Sequence, residues 1–115
     1  MSTALQTIRD DFAFLDDWED RYRYIIELGN ELPPFPEQAR DAGHKVQGCV
    51  SQVWLLTHRT DQRDPVLTFE GDSDAHLVRG LVAIMLALFS GRRASDIVQL
   101  DAEGLMNELG LDEHL

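Results

Sequence analysis

Residues 43–58 read GHKVQGCVSQVWLLTH, and it is here that the hydrophobic rhythm of the chain changes. Upstream, apolar residues recur every three or four positions. From Val50 onward, Val53, Leu55 and Thr57 alternate with Trp54, Leu56 and His58, the two-residue period of a strand. Both alternating sets carry apolar side chains, so the strand is expected to be covered on both faces. The same junction holds the only cysteine of the chain, Cys49, directly after Gly48. A packing cysteine occupies a periodic apolar position, whereas Cys49 precedes the strand, at an expected loop tip where chemistry is commonly placed. Gly48 admits a positive φ or a close backbone approach, and the strand behind it gives the loop a rigid base.

Working upstream, Leu5, Ile8, Phe12 and Leu15 predict an amphipathic helix capped by Ser2 or Thr3. A second helix is predicted from Asp17, with Trp18, Tyr22, Ile25, Ile26 and Leu28 mostly on one side and a terminus near Gly29. The two make an αα-hairpin. Pro33, Pro34 and Pro36 then exclude helix, so a loop is expected to about Gly43. A further strand is placed at Val46.

Working downstream, the polar tract 59–65 reads as a turn and 66–70 as the antiparallel partner strand. Gly71, Asp72, Ser73 and Asp74 close this hairpin and open the next helix. Asp72 or Ser73 is a candidate N-cap for the next helix, with Asp74 favourably placed against its dipole. That helix carries Leu77, Val78, Leu81, Val82, Ile84, Met85, Leu88 and Phe89, a stripe wide enough to be the central helix of the fold. Gly80 inside it implies a close approach by another backbone or ring. Gly91 ends it, and Arg92 and Arg93 read as solvated charges at a helix end. Short helices are predicted at 95–100 and from an Asp101 cap to Gly110. The fold class is α+β: a small antiparallel sheet of about three strands packed against helices.

The length of 115 residues and a hydrophobic content of 43% suit one domain over residues 1–115. With 21 acidic against 10 basic side chains the net charge is -11, which repels phosphate backbones and anionic lipid, so neither nucleic acid nor membrane is expected as a partner. No apolar run approaches the length of a membrane span, and the polar N-terminus lacks signal-peptide character, so a cytoplasmic location is expected. A lone cysteine makes no internal disulfide, which fits a reducing compartment. Trp54, Trp18, Tyr22, Tyr24 and Phe89 are read as core residues.

The reactivity of Cys49 depends on its thiolate fraction, which is minor at neutral pH for a reference pKa of about 8.5. His44 and Lys45 favour the thiolate and the negative chain as a whole disfavours it. A cysteine hydrolase or thiol peroxidase would pair Cys49 with a base, for which His44, His58 and His76 are candidates by residue type alone. A metal centre would need three or four ligands, and Cys49 with scattered histidines and Asp41 is a poor set; no metal is expected.

Three stretches carry a resemblance: WEDRYRYIIELG at 18–29, VQGCVSQVW at 46–54, and GDSD at 71–74 followed by VRGL at 78–81. In these and in their order the chain resembles the SufE-like family, sulfur acceptors for cysteine desulfurases. The resemblance implies that Cys49 takes sulfane sulfur from a persulfide on the desulfurase, carries it as its own persulfide, and delivers it to a scaffold complex assembling iron-sulfur clusters. It implies a carrier that stimulates its partner rather than an enzyme, and a fold shared with the iron-sulfur scaffold proteins. No cofactor is implied on this chain; pyridoxal phosphate (PLP) belongs to the desulfurase. Gln47, Gly48 and Ser51 support the acceptor loop, Asp74 and Arg79 are candidate partner contacts, and the expected state is a monomer or weak homodimer. Members of the family usually continue through a serine-arginine-x-x-glycine segment into a last helix. That segment is absent from this sequence, which ends at residues 112–115.

Overall fold

A computed structural model describes residues 2–46 and 51–111, with side chains from Leu5 onward. Helices α1 (Ser2–Phe14) and α2 (Trp18–Asn30) form the expected hairpin. Asp17 caps α2 by accepting a hydrogen bond from the Glu19 amide at 3.0 Å. Arg21 closes the other side of the turn, donating to the Leu15 and Phe12 carbonyls at 2.8 and 3.0 Å. Helix α1 already contains Ser2 and Thr3, so neither precedes it as a cap.

Helix α2 runs through Gly29 to Asn30 rather than ending there. The reason is packing: Gly29 faces Gly80 of α3 (His76–Phe89), and a Cβ at Gly29 would stand 2.7 Å from the Gly80 amide nitrogen. A Cβ at Gly80 would in turn fall on the Ile25 carbonyl, 2.6 Å from its carbon. The close approach expected at Gly80 is therefore the α2–α3 crossing. Around it Ile25 and Ile84 are fully buried, and Leu5, Ile8, Phe12, Leu88, Leu105, Leu109 and Leu111 complete the core. Trp18, Tyr22, Tyr24 and Phe89 pack against this cluster while partly buried.

Strand β1 (Val53–Arg59) pairs antiparallel with β2 (Val66–Ser73), and β2 pairs with a two-residue β3 (Arg92–Arg93), giving a sheet of order β1-β2-β3. The fold is thus the expected α+β arrangement with a three-stranded antiparallel sheet. The sheet differs from the sequence reading in three places. Strand β2 continues past Glu70 because Gly71, Asp72 and Ser73 pair with Leu55, Trp54 and Val53; Ala75, without a side-chain bond, then precedes α3. Asp72 and Ser73 are consequently buried strand residues, not helix caps. Arg92 and Arg93 form the third strand, tied in by Gly91 donating to the Leu67 carbonyl at 2.7 Å and Ala94 to the Pro65 carbonyl at 2.8 Å. Gly91 takes the φ of 81° that ends α3, as Gly110 takes 73° after α5.

The third difference concerns coverage. Gly71 points at α3, where an added Cβ would meet the Val82 side chain at 2.7 Å, so the face carrying Val53, Leu55 and Phe69 is the helix side. Leu55 is nevertheless 37% exposed, because sheet and helix splay apart along its length. The far half of β1 is exposed on both faces at Thr57, His58 and Arg59. Two short helices, α4 (Ala94–Ile97) and α5 (Ala102–Glu108), follow β3, with Asp101 capping α5 through the Gly104 amide at 2.8 Å.

Candidate functional site

The segment that contains Cys49 is held by an antiparallel stem. Leu55 donates to the His44 carbonyl at 2.9 Å, Val46 donates to the Val53 carbonyl at 2.8 Å, and Lys45 bridges Trp54. Val46 therefore meets the sheet through its hydrogen bond to Val53, beside the Lys45–Trp54 bridge, and is not itself part of a strand. On the returning side Gln52 is fastened three times. Its amide donates to Asp74 Oδ1 at 3.0 Å, and its carbonyl accepts from Ser73 Oγ at 2.7 Å and from the Asp74 amide at 3.2 Å. Gln47, Gly48 and Cys49 lie outside the described residues. Ser51 is half-buried at the foot of the returning strand.

Below the stem lies a charged cluster that periodicity does not reveal. Register places Asp72 opposite Trp54. The Asp72 carboxylate, 11% exposed, accepts a hydrogen bond from Arg40 Nη2 and stands 2.9 Å from Arg79 Nε. The latter contact is an ion pair without hydrogen-bond alignment. The Arg40 guanidinium carbon lies over two aromatic rings, 5.4 Å from the Phe35 centroid and 5.0 Å from that of Trp54. Its Nε also faces Glu37 at 3.4 Å, where the carboxylate is solvated. Trp54 is thus half-buried as a platform for Arg40 rather than as a residue of the main core.

The two candidate partner contacts separate here. Asp74 is exposed and holds the stem through Gln52, whereas Arg79 is turned inward on Asp72. The three histidines also part company. His44 sits in the stem with Nδ1 2.8 Å from Asp41 Oδ1, and the hydrogen bond from His44 holds the Asp41 carboxyl below its ordinary value. His58 pairs with Glu70 at 2.6 Å near the far end of β1, about 16 Å along the strand from Val53. His76 is exposed at the start of α3. Among the described residues no group of three or more histidine, cysteine, aspartate or glutamate side chains is arranged to hold a metal ion.

Beside the stem, Val53, Leu55, Val78, Val82 and Met85 line an apolar groove of about 280 Å3 between sheet and helix. A larger groove of about 430 Å3 opens between the first three helices, remote in sequence from the stem, over Ile8, Leu28 and Ala87. Tyr24 at its edge donates to Asp11 at 2.7 Å; burial first, then this bond and the nearby carboxylates, push its hydroxyl pKa far upward. No described helix is long and apolar enough to cross a membrane.

With this geometry established, comparisons with known proteins are informative. The family model for SufE, described as an Fe-S metabolism associated domain, matches residues 6–115. An uncharacterized SufE-like protein of Rhizobium meliloti is 65% identical over 114 residues, covering 98% of this chain and 81% of the relative. A second, from Rhizobium etli, is 58% identical over 113 residues, covering 97% of this chain and 76% of the relative.

Proposed function

The chain belongs to the SufE family, associated with Fe-S metabolism, and from that premise we propose that it is a sulfur acceptor and carrier serving a cysteine desulfurase. Cys49 is the acceptor. Its thiolate attacks the outer sulfur of the persulfide on the desulfurase cysteine. A bond forms between Cys49 Sγ and the sulfane sulfur, the donor's sulfur-sulfur bond breaks, and the electron pair leaves on the donor cysteine as thiolate. The exchange is balanced without an outside oxidant or reductant. The persulfide on Cys49 is then the form in which sulfur is delivered to an iron-sulfur scaffold complex.

The observation that carries this reading is the stem: the only cysteine of the chain lies in a short connection whose two ends are joined by backbone hydrogen bonds between 44–46 and 53–55. Such a hairpin carries a thiol on a rigid base toward a partner's donor cysteine, and one thiol is all the chemistry requires. Gln47, Gly48 and Ser51 belong to the connection, and exposed Asp74 fastens its base, within reach of a docked partner. Relieving the desulfurase of its persulfide frees it for another turnover, so the carrier stimulates its partner while catalysing no separate reaction and holding no cofactor of its own. The single domain works in the cytoplasm as a monomer or weak homodimer. Alanine release by a desulfurase, followed with and without this protein, tests the reading. Parent protein accelerates release and Cys49→Ser does not; equal acceleration by both would reject Cys49 as acceptor.

A further inference from the structure

We infer that Arg40 is a positioning residue for the acceptor loop, a guanidinium clamp that fixes the stem through Trp54 and Asp72; its role in transfer rests on the sulfur-acceptor reading above. This one side chain joins several elements of the fold. Its guanidinium carbon lies over both the Phe35 ring, on the segment leading into the stem, and the Trp54 ring, on the strand leaving it. Its Nη2 bonds Asp72 on β2, and Asp72 in turn pairs with Arg79 on α3. Trp54 is also the residue bridged to Lys45, one step from the Val46–Val53 bond that closes the stem.

The clamp lies outside the main core cluster. Phe35 and Ala39 are buried, yet neither they nor Trp54 belongs to the core cluster built on Ile25, Ile84 and Leu111. Arg40 therefore organises a local unit that sets the placement of the two stem segments, 44–46 and 53–55. The chemistry requires arginine: a planar guanidinium can stack on two rings and donate in its own plane at once, whereas a lysine ammonium supplies charge without either geometry. With 26% of the side chain exposed and its Nη2 engaged by Asp72, the group is held in place by its partners. A misplacement of about 1 Å in a group that presents a nucleophile can cost on the order of a hundredfold in rate.

The test uses the full chain and a persulfidated cysteine desulfurase, with single-turnover sulfur transfer to Cys49 measured across carrier concentrations. R40M is expected to lower the maximal transfer rate about tenfold or more while leaving half-saturation within about twofold, because presentation and not docking is lost. R40K is expected to stay closer to R40M than to parent, since charge alone does not restore the stack. Glu37→Gln, which alters only the solvated outer partner, transfers like parent. In a second readout without desulfurase, the rate of Cys49 alkylation by iodoacetamide changes severalfold in R40M and not in Glu37→Gln. If R40M does not fold, Phe35→Leu removes one face of the stack, leaves the ion pairs, and carries the same expectation at severalfold. Parental maximal rates and alkylation in R40M, a defect confined to half-saturation, or full rescue by R40K would overturn the inference. Failure of the parent itself to accept sulfur would overturn the acceptor reading instead, and the alkylation comparison would still decide whether Arg40 positions the loop.

Discussion

Replacing Gly80 by alanine sets two physical effects against each other. On helix propensity alone the methyl would stabilise a 14-residue α3 by about 1 kcal/mol. The crossing opposes it, since the new Cβ would fall on the Ile25 carbonyl, 2.6 Å from its carbon, where ordinary contact needs about 1 Å more. The obstacle is backbone rather than the end of a flexible side chain, so α2 and α3 must separate around Ile25 and Ile84, both fully buried. Overpacking of this kind costs roughly 3 kcal/mol, the upper end of its usual range. The net expectation is a loss of about 2 kcal/mol, which at a urea dependence of about 1.5 kcal/mol per molar lowers the unfolding midpoint by about 1.3 M. Equilibrium urea unfolding followed by far-UV circular dichroism reads this directly. Gly43→Ala is the control: its nearest neighbour would be Asp41 Oδ1 at 3.4 Å and its φ is not positive, so its midpoint should match parent or rise slightly. A G80A midpoint equal to or above that of parent would refute the crossing argument.

Removing the α2 cap with Asp17→Ala should cost about 1 kcal/mol, measured by the same unfolding curve. Ile84→Ala should cost about 2–5 kcal/mol, against less than about 1 for Leu55→Ala over the open groove; similar losses for the two would contradict the splayed sheet and helix. The Asp64 carboxyl is held below its ordinary value first by the Ser95 hydroxyl bond and then by the Ser95 amide. Because its folded pKa is the lower one, the stability it contributes is present above the ordinary carboxylate pKa and is lost as pH falls through the folded value. Ser95→Ala should raise the Asp64 pKa toward its ordinary value in an NMR titration, and an unchanged titration would show that the hydroxyl is not the main cause.

Much of the architecture was legible in residue spacing, and the misreadings share one cause. The wide stripe of α3, the αα-hairpin and the close approach at Gly80 are local signals, and the structure contains each of them. Gly29 looked like a helix end because glycine ends helices, yet the constraint on it is the neighbouring helix. Residues 71–73 have turn chemistry, but pairing with 53–55 holds them in the strand. A two-residue strand such as Arg92–Arg93 has no period to detect. At the site, the cysteine after glycine before an apolar strand was the readable part. Arg40 was invisible, because only the tertiary register that sets Trp54 opposite Asp72 gives its guanidinium two rings and a carboxylate to meet.

Sulfur acceptance by Cys49 can be read by intact-protein mass spectrometry after incubation with a cysteine desulfurase, pyridoxal phosphate and free cysteine, comparing parent protein with Cys49→Ser. A mass gain of sulfur that a thiol reductant removes is expected on the parent, and none on the variant. No gain on the parent, or an equal gain on both, would contradict this acceptor role.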